Sequence, residues 1–490
     1  MRARPLARIA LALGIAALAA RASADVANPT LEGPIEGGSS TGAFIASTTF
    51  DLAQVGYEQA EYFISGTASA YTSPGPLGSD GMWTAAPGVT AAYKTRVLVY
   101  RPSNPKKFNG TVLVEWLNVS GGVDSAPDWI GAHTELTREG FAWVGVSAQY
   151  TGVEGGGALL SIADLPLKKV APLRYGSLVH PGDSFSYDMF SQAAQAVRHP
   201  TGASPLGPLK LKKMIAVGES QSAMRMVTYI DAIHPLTHLF DGYFVHSRPG
   251  TGALAGLSQA PQPNIPGPTP VQIRTDVDVP VLVFETESDL TFLDYFHARQ
   301  PDGPNLRVWE VAGTAHADTY LTATGSADPG KNPAAVDIVL TTTPNVGISC
   351  GVPINSGPQH FVLNAAFAAL NKWVRHGKAP KAAPPLDVAG GPPVAINADA
   401  HGNALGGIRT PQVDVPLATF TGYQPGPLIC QILGTTTPFD APTLAQLYPT
   451  HAAYVRAVGK AAKRAVKAGF LLKPDAALIK KATAASAIGG

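Results

Sequence analysis

The sequence predicts an α/β fold with a mostly parallel central sheet and helices on both of its faces. Apolar runs such as Thr111–Trp116 and Lys213–Val217 show little alternation between apolar and polar residues, as in strands that are buried on both faces of a sheet. Segments with helical periodicity, such as Ser184–Val197 and Gln221–Ile233, lie between such runs. This alternation of strands with helices is typical of a parallel sheet covered on both sides.

The predicted elements follow one another along most of the chain. The strands are Thr95–Tyr100, Thr111–Trp116, Ala142–Ser147, Lys213–Val217, Leu239–His246, Val279–Glu285 and Leu306–Val311. The helices are Trp129–Glu139, Ser184–Val197, Gln221–Ile233 and Val362–Arg375. Two segments do not fit a minimal core. Residues 248–275 are rich in proline, glycine and glutamine, and we expect a wall or lid of a pocket there, with a surface excursion as the alternative. Residues 379–472 are expected to be an extension packed on the core.

The first 24 residues read as an export signal. Arg2, Arg4 and Arg8 give a basic start, Ile9–Ala20 an apolar centre, and Ala22–Ala24 a cleavage site of small residues. The apolar run is too short to span a bilayer. We therefore expect residues 25–490 to form a single exported domain, either periplasmic or extracellular.

Charge and cysteine content limit the classes of partner. The net charge of +1 at pH 7 argues against a nucleic-acid or anionic-membrane partner, and the oligomeric state stays open. The two cysteines, Cys350 and Cys430, are candidates for one disulfide in an oxidising compartment, or for two buried thiols. His234 and His238 have the i, i+4 spacing of metal ligands, but Pro235 and the lack of an intervening glutamate favour simple packing. No metal or cofactor is predicted.

Ser220 is the most informative residue. It lies between the strand that ends near Val217 and the helix that begins at Gln221. This strand–serine–helix pattern is a nucleophile elbow, whose tight turn requires small residues two positions before and after the serine. Gly218 and Ser222 meet that requirement, although glycine is the usual residue at the second position. The pattern indicates hydrolysis through an acyl-enzyme.

A serine nucleophile needs a base, and the base needs an acid that holds its tautomer. In the α/β-hydrolase arrangement these residues follow in the order serine, acid, histidine, each after a strand. Val279–Glu285 leads into a turn with Glu287 and Asp289, and Leu306–Val311 leads into a loop that ends at His316. We predict a triad of Ser220, His316 and Asp289, with Glu287 as the alternative acid.

The oxyanion of the tetrahedral intermediate needs backbone or side-chain donors. The N–H of Gln221, directly after the nucleophile, is expected to be one, since it begins a helix. The second is expected on the loop after Thr111–Trp116, at Asn118 or Val119. Trp116, Trp129 and Tyr150 are candidates for an apolar substrate pocket, with ordinary core packing as the alternative.

Several motifs together resemble the bacterial, often exported "alpha/beta hydrolase domain-containing" family, over roughly Ala27 to Leu472. These motifs are Gly56-Tyr57, Glu61–Gly66, Val114–Gly122, Val146–Gln149, His180–Asp183, the elbow, Ala312–Asp318, Trp373–Gly377, Gly406–Pro411 and Cys430. The resemblance implies the α/β-hydrolase fold and serine esterase activity, with Ser220 and His316 in the family's elbow and histidine loop.

The sequence thus predicts an exported serine carboxylic ester hydrolase that acts on a small-molecule ester without metal or cofactor. An acyltransferase that uses the same acyl-enzyme is the first alternative. A non-catalytic binding protein on a hydrolase scaffold is the second.

Overall fold

The computed structural model of the 490-residue chain describes residues 26–37, 42–160, 162–331, 336, 350–391 and 393–490. The predicted export signal, residues 1–24, lies outside them. The strands are β1 Thr30–Glu32, β2 Tyr57–Thr72, β3 Ala86–Pro102, β4 Thr111–Trp116, β5 Ala142–Val146, β6 Lys213–Glu219, β7 Gly242–His246, β8 Val281–Glu285, β9 Leu306–Glu310, β10 Val388–Ala389, β11 Ala395–Ile396, β12 Ala418–Thr421 and β13 Thr435–Pro438.

The helices connect these strands and continue to the end of the chain. They are α1 Pro127–Arg138, α2 Tyr150–Val153, α3 Leu167–Val170, α4 Pro172–Tyr175, α5 Ser186–Arg198, α6 Gln221–Thr228, α7 His234–Thr237, α8 Glu287–Thr291, α9 Gln359–His376, α10 Pro411–Asp414, α11 Leu428–Leu433, α12 Ala441–Leu447, α13 His451–Ala468 and α14 Lys473–Ala485. A π-helical turn, Tyr229–Ile233, joins α6 to α7. Across the described part of the chain, every helix is too short or too polar to span a bilayer.

Within the described residues, nine strands form one sheet in the order β1-β2-β3-β5-β4-β6-β7-β8-β9. From β5 to β9 the neighbouring strands are parallel, and β1, β2 and β3 add an antiparallel edge. The predicted mostly parallel sheet is therefore confirmed. The antiparallel strands β1 and β2 and the first half of β3 were not predicted from the sequence.

Helices cover both faces of the sheet, as predicted. Along β6, Met214 and Ala216 face the core that contains α5 and α6, whereas Ile215 and Val217 face the core that contains α1 and α9. Because side chains alternate along a strand, each strand between the two cores must be apolar on both sides. This explains the continuous apolar runs of the sequence.

The segment after α9 packs on the core. It forms the antiparallel strand pairs β10–β11 and β12–β13 and the helices α10 to α14. Ile408 pairs with Val311 just after β9. The helices α13 and α14 bury a separate apolar cluster around Tyr454, Val458 and Ile479. The extension predicted from the sequence therefore lies against the carboxyl end of β9, close to the loop of the predicted histidine.

Candidate active site

Ser220 lies in a strained turn between β6 and α6. Its backbone has φ 58° and ψ −120°, a left-handed region that non-glycine residues rarely adopt. A Cβ at Gly218 would lie 2.8 Å from the carbonyl oxygen of Ser222, so only glycine fits at that position. The crowded turn holds the Ser220 side chain at the carboxyl end of the central strand, where it is partly exposed.

The structure brings the predicted serine, histidine and acid together. The Nε2 atom of His316 lies 2.8 Å from Ser220 Oγ, and its Nδ1 atom lies 2.7 Å from Asp289 Oδ1. The backbone N–H of His316 donates to Ser288 Oγ at 2.9 Å. With these contacts the ring is fixed between the serine and the carboxylate, with Nδ1 toward Asp289 and Nε2 toward the serine hydroxyl.

Of the two acids that the sequence offered, Asp289 contacts His316. The second oxygen of Asp289 accepts hydrogen bonds from the backbone N–H and the hydroxyl of Thr286, at 2.6 and 2.7 Å. The bond from the Thr286 N–H belongs to a capping box at the start of α8, in which the Thr286 side chain accepts the backbone N–H of Asp289 in return. Glu287 instead accepts the backbone N–H groups of Gly313 and Gly422, at 2.6 and 3.0 Å. Glu287 therefore holds two loops together and does not orient the histidine.

A third carboxylate, which the sequence analysis did not select, lies beside the histidine. Glu219 Oε1 is 3.4 Å from His316 Nε2, and Glu219 Oε2 accepts a hydrogen bond of 3.0 Å from Asn118 Nδ2. Glu219 is buried. Its position directly before Ser220 was a usable signal in the sequence, because the residue next to this serine in a tight turn must also lie near the site.

The charges around His316 affect its proton affinity. Burial lowers the pKa of His316, but the charge and hydrogen bond of Asp289, with the charge of Glu219, raise that pKa above its ordinary value overall. Burial also raises the pKa of Glu219 to about 7, against the attraction of His316 and His246. The site therefore contains a histidine whose pKa is raised beside a glutamic acid whose pKa is raised to about 7.

The predicted oxyanion donors differ in their availability. Gln221 is the first residue of α6, so its N–H belongs to the unpaired first turn of the helix. Asn118 donates its backbone N–H to Ser125 O and its side-chain amide to the carbonyl and carboxylate of Glu219. In this structure Asn118 therefore holds its loop against the elbow, and its role as a donor to the oxyanion stays a prediction.

An apolar wall borders the histidine loop. Its buried residues are Ile354, Ile429, Cys430, Ile432 and Leu433, and Leu160, Phe292, Leu293, Ala317 and Cys350 pack against them. Cys350 and Cys430 are joined in a disulfide within this wall. Ala317, which follows His316, donates its N–H to Ile432 O at 3.2 Å. The wall thus fixes the histidine loop from the side of the extension.

Two of the three aromatic residues that the sequence offered for the pocket belong to the core. Trp116 and Trp129 are fully buried in the two cores, so their alternative interpretation as core residues is correct. Tyr150 is 44% exposed. The predicted insertion 248–275 packs on α5 and α6, where the carbonyl of Ala255 accepts hydrogen bonds from Tyr187 and Thr228.

The arrangement in this chain is that of the α/β-hydrolase fold class. A serine lies in a strand–serine–helix elbow, and an acid and a histidine follow later strands of a mostly parallel sheet. The chain belongs to the family described as "Alpha/beta hydrolase domain", whose model matches residues 31–481. The family match therefore includes both the core and the C-terminal extension.

Two solved structures are similar to part of the chain at low identity. The chain is similar to fungal esterases from Rhizomucor miehei, with 11% identity, coverage of 64% of this chain and 85% of theirs, and a TM-score of 0.31. It is also similar to an alpha-beta serine hydrolase homologue from Coxiella burnetii, with 12% identity, coverage of 44% and 82%, and a TM-score of 0.26. A comparison with curated proteins gives no significant match.

Proposed function

We propose that this protein is a serine hydrolase that cleaves carboxylic esters through an acyl-enzyme. The observation that carries the proposal is the hydrogen-bonded chain from Ser220 Oγ to His316 Nε2 and from His316 Nδ1 to Asp289, with distances of 2.8 and 2.7 Å. A serine hydroxyl becomes a nucleophile when a neutral imidazole accepts its proton, and a buried carboxylate stabilises the imidazolium that results.

In the first half of the reaction, Ser220 Oγ attacks the ester carbonyl while His316 takes the hydroxyl proton. His316 then gives this proton to the leaving alkoxide, and the alcohol departs. The acyl group remains on Ser220. In the second half, water attacks the acyl-enzyme with His316 again as the base, and the carboxylic acid and free serine are released.

Two backbone N–H groups are proposed to stabilise the oxyanion. Gln221 contributes the N–H at the start of α6, where the helix dipole adds to the hydrogen bond. Val119 is proposed as the second donor, because Asn118 fixes the adjoining loop to Glu219 by a hydrogen bond of 3.1 Å to its carbonyl.

Export of the protein is proposed as well. The predicted signal at residues 1–24 motivates this proposal, and the disulfide between Cys350 and Cys430 supports it, since disulfides persist in oxidising compartments. Mass spectrometry of the protein from the periplasm or the culture medium tests it: an N-terminus near residue 25 is expected, and an intact Met1 would contradict cleavage.

The activity is tested with p-nitrophenyl esters of increasing acyl length. We expect hydrolysis by the unmodified protein, and a loss in Ser220→Ala of up to about 10⁶-fold in kcat, the scale on which a nucleophilic serine acts. Ser222→Ala is the matched control. It changes a buried serine of the same turn whose hydroxyl has no hydrogen-bond partner among the described residues, so activity should remain.

A fluorophosphonate probe separates the remaining alternatives. Labelling that disappears in Ser220→Ala but persists in Ser222→Ala supports a reactive serine with a narrower ester preference. A folded protein that neither hydrolyses the ester series nor takes up the probe would contradict the proposal and favour a binding protein on this fold.

A further inference from the structure

A group of potential metal ligands lies at the end of the sheet opposite to Ser220. His234 is the first residue of α7, His238 caps that helix, and Asp278 lies three residues before β8. Since α6 starts at the carboxyl end of β6 and runs back along the sheet, its continuation α7 reaches the amino ends of the strands. Among the described residues, these three form the one group of His, Cys, Asp and Glu with converging ligand atoms.

The ligand atoms of the three side chains converge on one point. His234 Nε2 lies 2.7 Å from Asp278 Oδ1, and His238 Nδ1 lies 3.4 Å from Asp278 Oδ2. One ligand atom from each residue lies within 4.8 Å of the others. Ligands of a tetrahedral zinc ion are about 3.4 Å apart, given metal–ligand bonds of about 2.0–2.2 Å. A shift of Asp278 by less than about 1 Å would therefore make room for the ion.

The environment of His234 prepares it as a ligand. Its Nδ1 atom pairs with the Tyr243 hydroxyl at 3.0 Å, which fixes the ring and leaves Nε2 toward Asp278.

The backbone of His238 brings its ring into the group. His238 has φ 45°, in the left-handed region where glycine is the favoured residue at the end of a helix. The helix end turns here, and the His238 ring lies against that of His234 with centroids 5.0 Å apart. Strained backbone positions are concentrated at functional sites. The convergence of His238 with His234 on Asp278 agrees with such a role.

We propose that His234, His238 and Asp278 bind a divalent transition-metal ion of the zinc class. Two imidazole nitrogens and one carboxylate oxygen suit zinc, whereas calcium and magnesium prefer oxygen ligands alone. The Asp278 side chain is 46% exposed and that of His238 is 27% exposed, so the ion enters from solvent and water completes its coordination. The neighbouring cation, Arg274, is paired with Asp276 at 2.6 Å, which reduces its repulsion of the ion.

The bound ion would join the end of α7 to the segment that leads into β8. It would therefore stabilise the fold rather than take part in ester cleavage, because Ser220 lies at the other end of the strands. A ligand that binds only the native state raises the stability of the protein, and the increase grows with the logarithm of the ligand concentration. At about 100 times the dissociation constant, a rise of about 2–3 °C in Tm is expected for a chain of this length.

The experiment uses the full mature protein without a histidine tag, after dialysis against a chelator. Zinc binding is measured by isothermal titration calorimetry, and Co²⁺ is added in parallel because its visible absorption reports nitrogen and oxygen coordination. One ion per chain is expected. His238→Ala and Asp278→Asn should each weaken binding by at least about tenfold and abolish the zinc-dependent rise in Tm.

His297→Ala is the matched control. His297 is also an exposed histidine paired with a carboxylate, Asp294, at 2.6 Å, but it belongs to no converging group of three ligands among the described residues. Zinc binding by the His297→Ala variant should equal that of the unmodified protein. The proposal would be overturned if the unmodified protein did not bind zinc at millimolar concentration. It would also be overturned if neither His238→Ala nor Asp278→Asn weakened binding. Both outcomes are independent of the esterase assay. Circular dichroism verifies that each variant is folded.

Discussion

Replacement of Glu219 by glutamine tests whether the carboxylate beside His316 controls the pH dependence of catalysis. Glu219 Oε1 lies 3.4 Å from His316 Nε2, and its charge raises the pKa of that histidine. His316 must be neutral to accept the proton of Ser220, so activity falls as the pH drops through the pKa of His316. Removal of the carboxylate lowers this pKa, and the acid limb of the pH–rate profile should move to lower pH.

The size of the shift follows from the distance between the two charges. For two unit charges 3.4 Å apart, Coulomb's law gives an interaction of about 1.2 kcal/mol with the dielectric constant of water, which corresponds to about 0.9 pKa unit. With an effective dielectric constant of about 20, the interaction is about 5 kcal/mol. Burial raises the pKa of Glu219 to about 7, so Glu219 is only partly ionised near neutral pH. We therefore expect a shift near the smaller value, about one pH unit.

The assay is kcat/KM for a short-chain p-nitrophenyl ester from acid to mildly alkaline pH, since this ratio reports the ionisation of the free enzyme. Glu287→Gln is the matched control. Burial raises the pKa of Glu287 to about 7 as well, but its carboxylate binds Gly313 and Gly422 instead of His316. An acid limb that stays in place in Glu219→Gln, moves upward, or moves equally in both variants would refute the reasoning.

Three further perturbations have defined expectations. Asp289→Asn should reduce kcat by about 10⁴-fold with little change in KM, because the histidine loses the carboxylate that fixes its tautomer. Glu287→Gln, measured in parallel, should retain most of the activity. A large loss in Glu287→Gln with little loss in Asp289→Asn would assign the acid to Glu287. Double substitution of Cys350 and Cys430 by serine should lower the free energy of unfolding by about 4–5 kcal/mol, since the disulfide closes a loop of 80 residues; equal denaturation midpoints with and without the bond would contradict this. Gly218→Ala should cost about 1–3 kcal/mol of stability and most of the activity, because its Cβ would lie 2.8 Å from a backbone carbonyl; a variant with normal stability and turnover would show that the elbow tolerates a methyl group.

The parallel part of the sheet was predictable from the sequence because strands buried on both faces must be apolar at every position. β4, for example, was predicted with its observed bounds, Thr111–Trp116. β2 was not found, although it has 16 residues. Its sequence mixes Glu58, Gln59 and Glu61 with apolar residues, and β2 joins β3 through a connection too long for a tight-turn signal. The strand β2 is stabilised by its pairing with β1 and β3, which the local sequence pattern does not show.

The candidate site was predictable to the extent that its residues are fixed by the ends of strands. Ser220 and His316 follow β6 and β9, and the sequence shows both strands clearly. The sequence favoured Asp289 but left Glu287 as the alternative acid, although residues two apart at the start of a short helix project in different directions. The structure distinguishes them by their partners, His316 for Asp289 and two backbone N–H groups for Glu287.

The C-terminal extension explains why these loops have one arrangement. Ser288 Oγ accepts the N–H of His316 and donates to the carbonyl of Gly422, while Glu287 binds the N–H of the same glycine. Ile432 accepts the N–H of Ala317. The acid loop and the histidine loop are thus hydrogen-bonded to chain more than 100 residues later. A site that requires distances of 2.7 to 2.8 Å between its three residues depends on such supports. The extension is therefore part of the architecture of the site, in agreement with a family match that continues through it to residue 481.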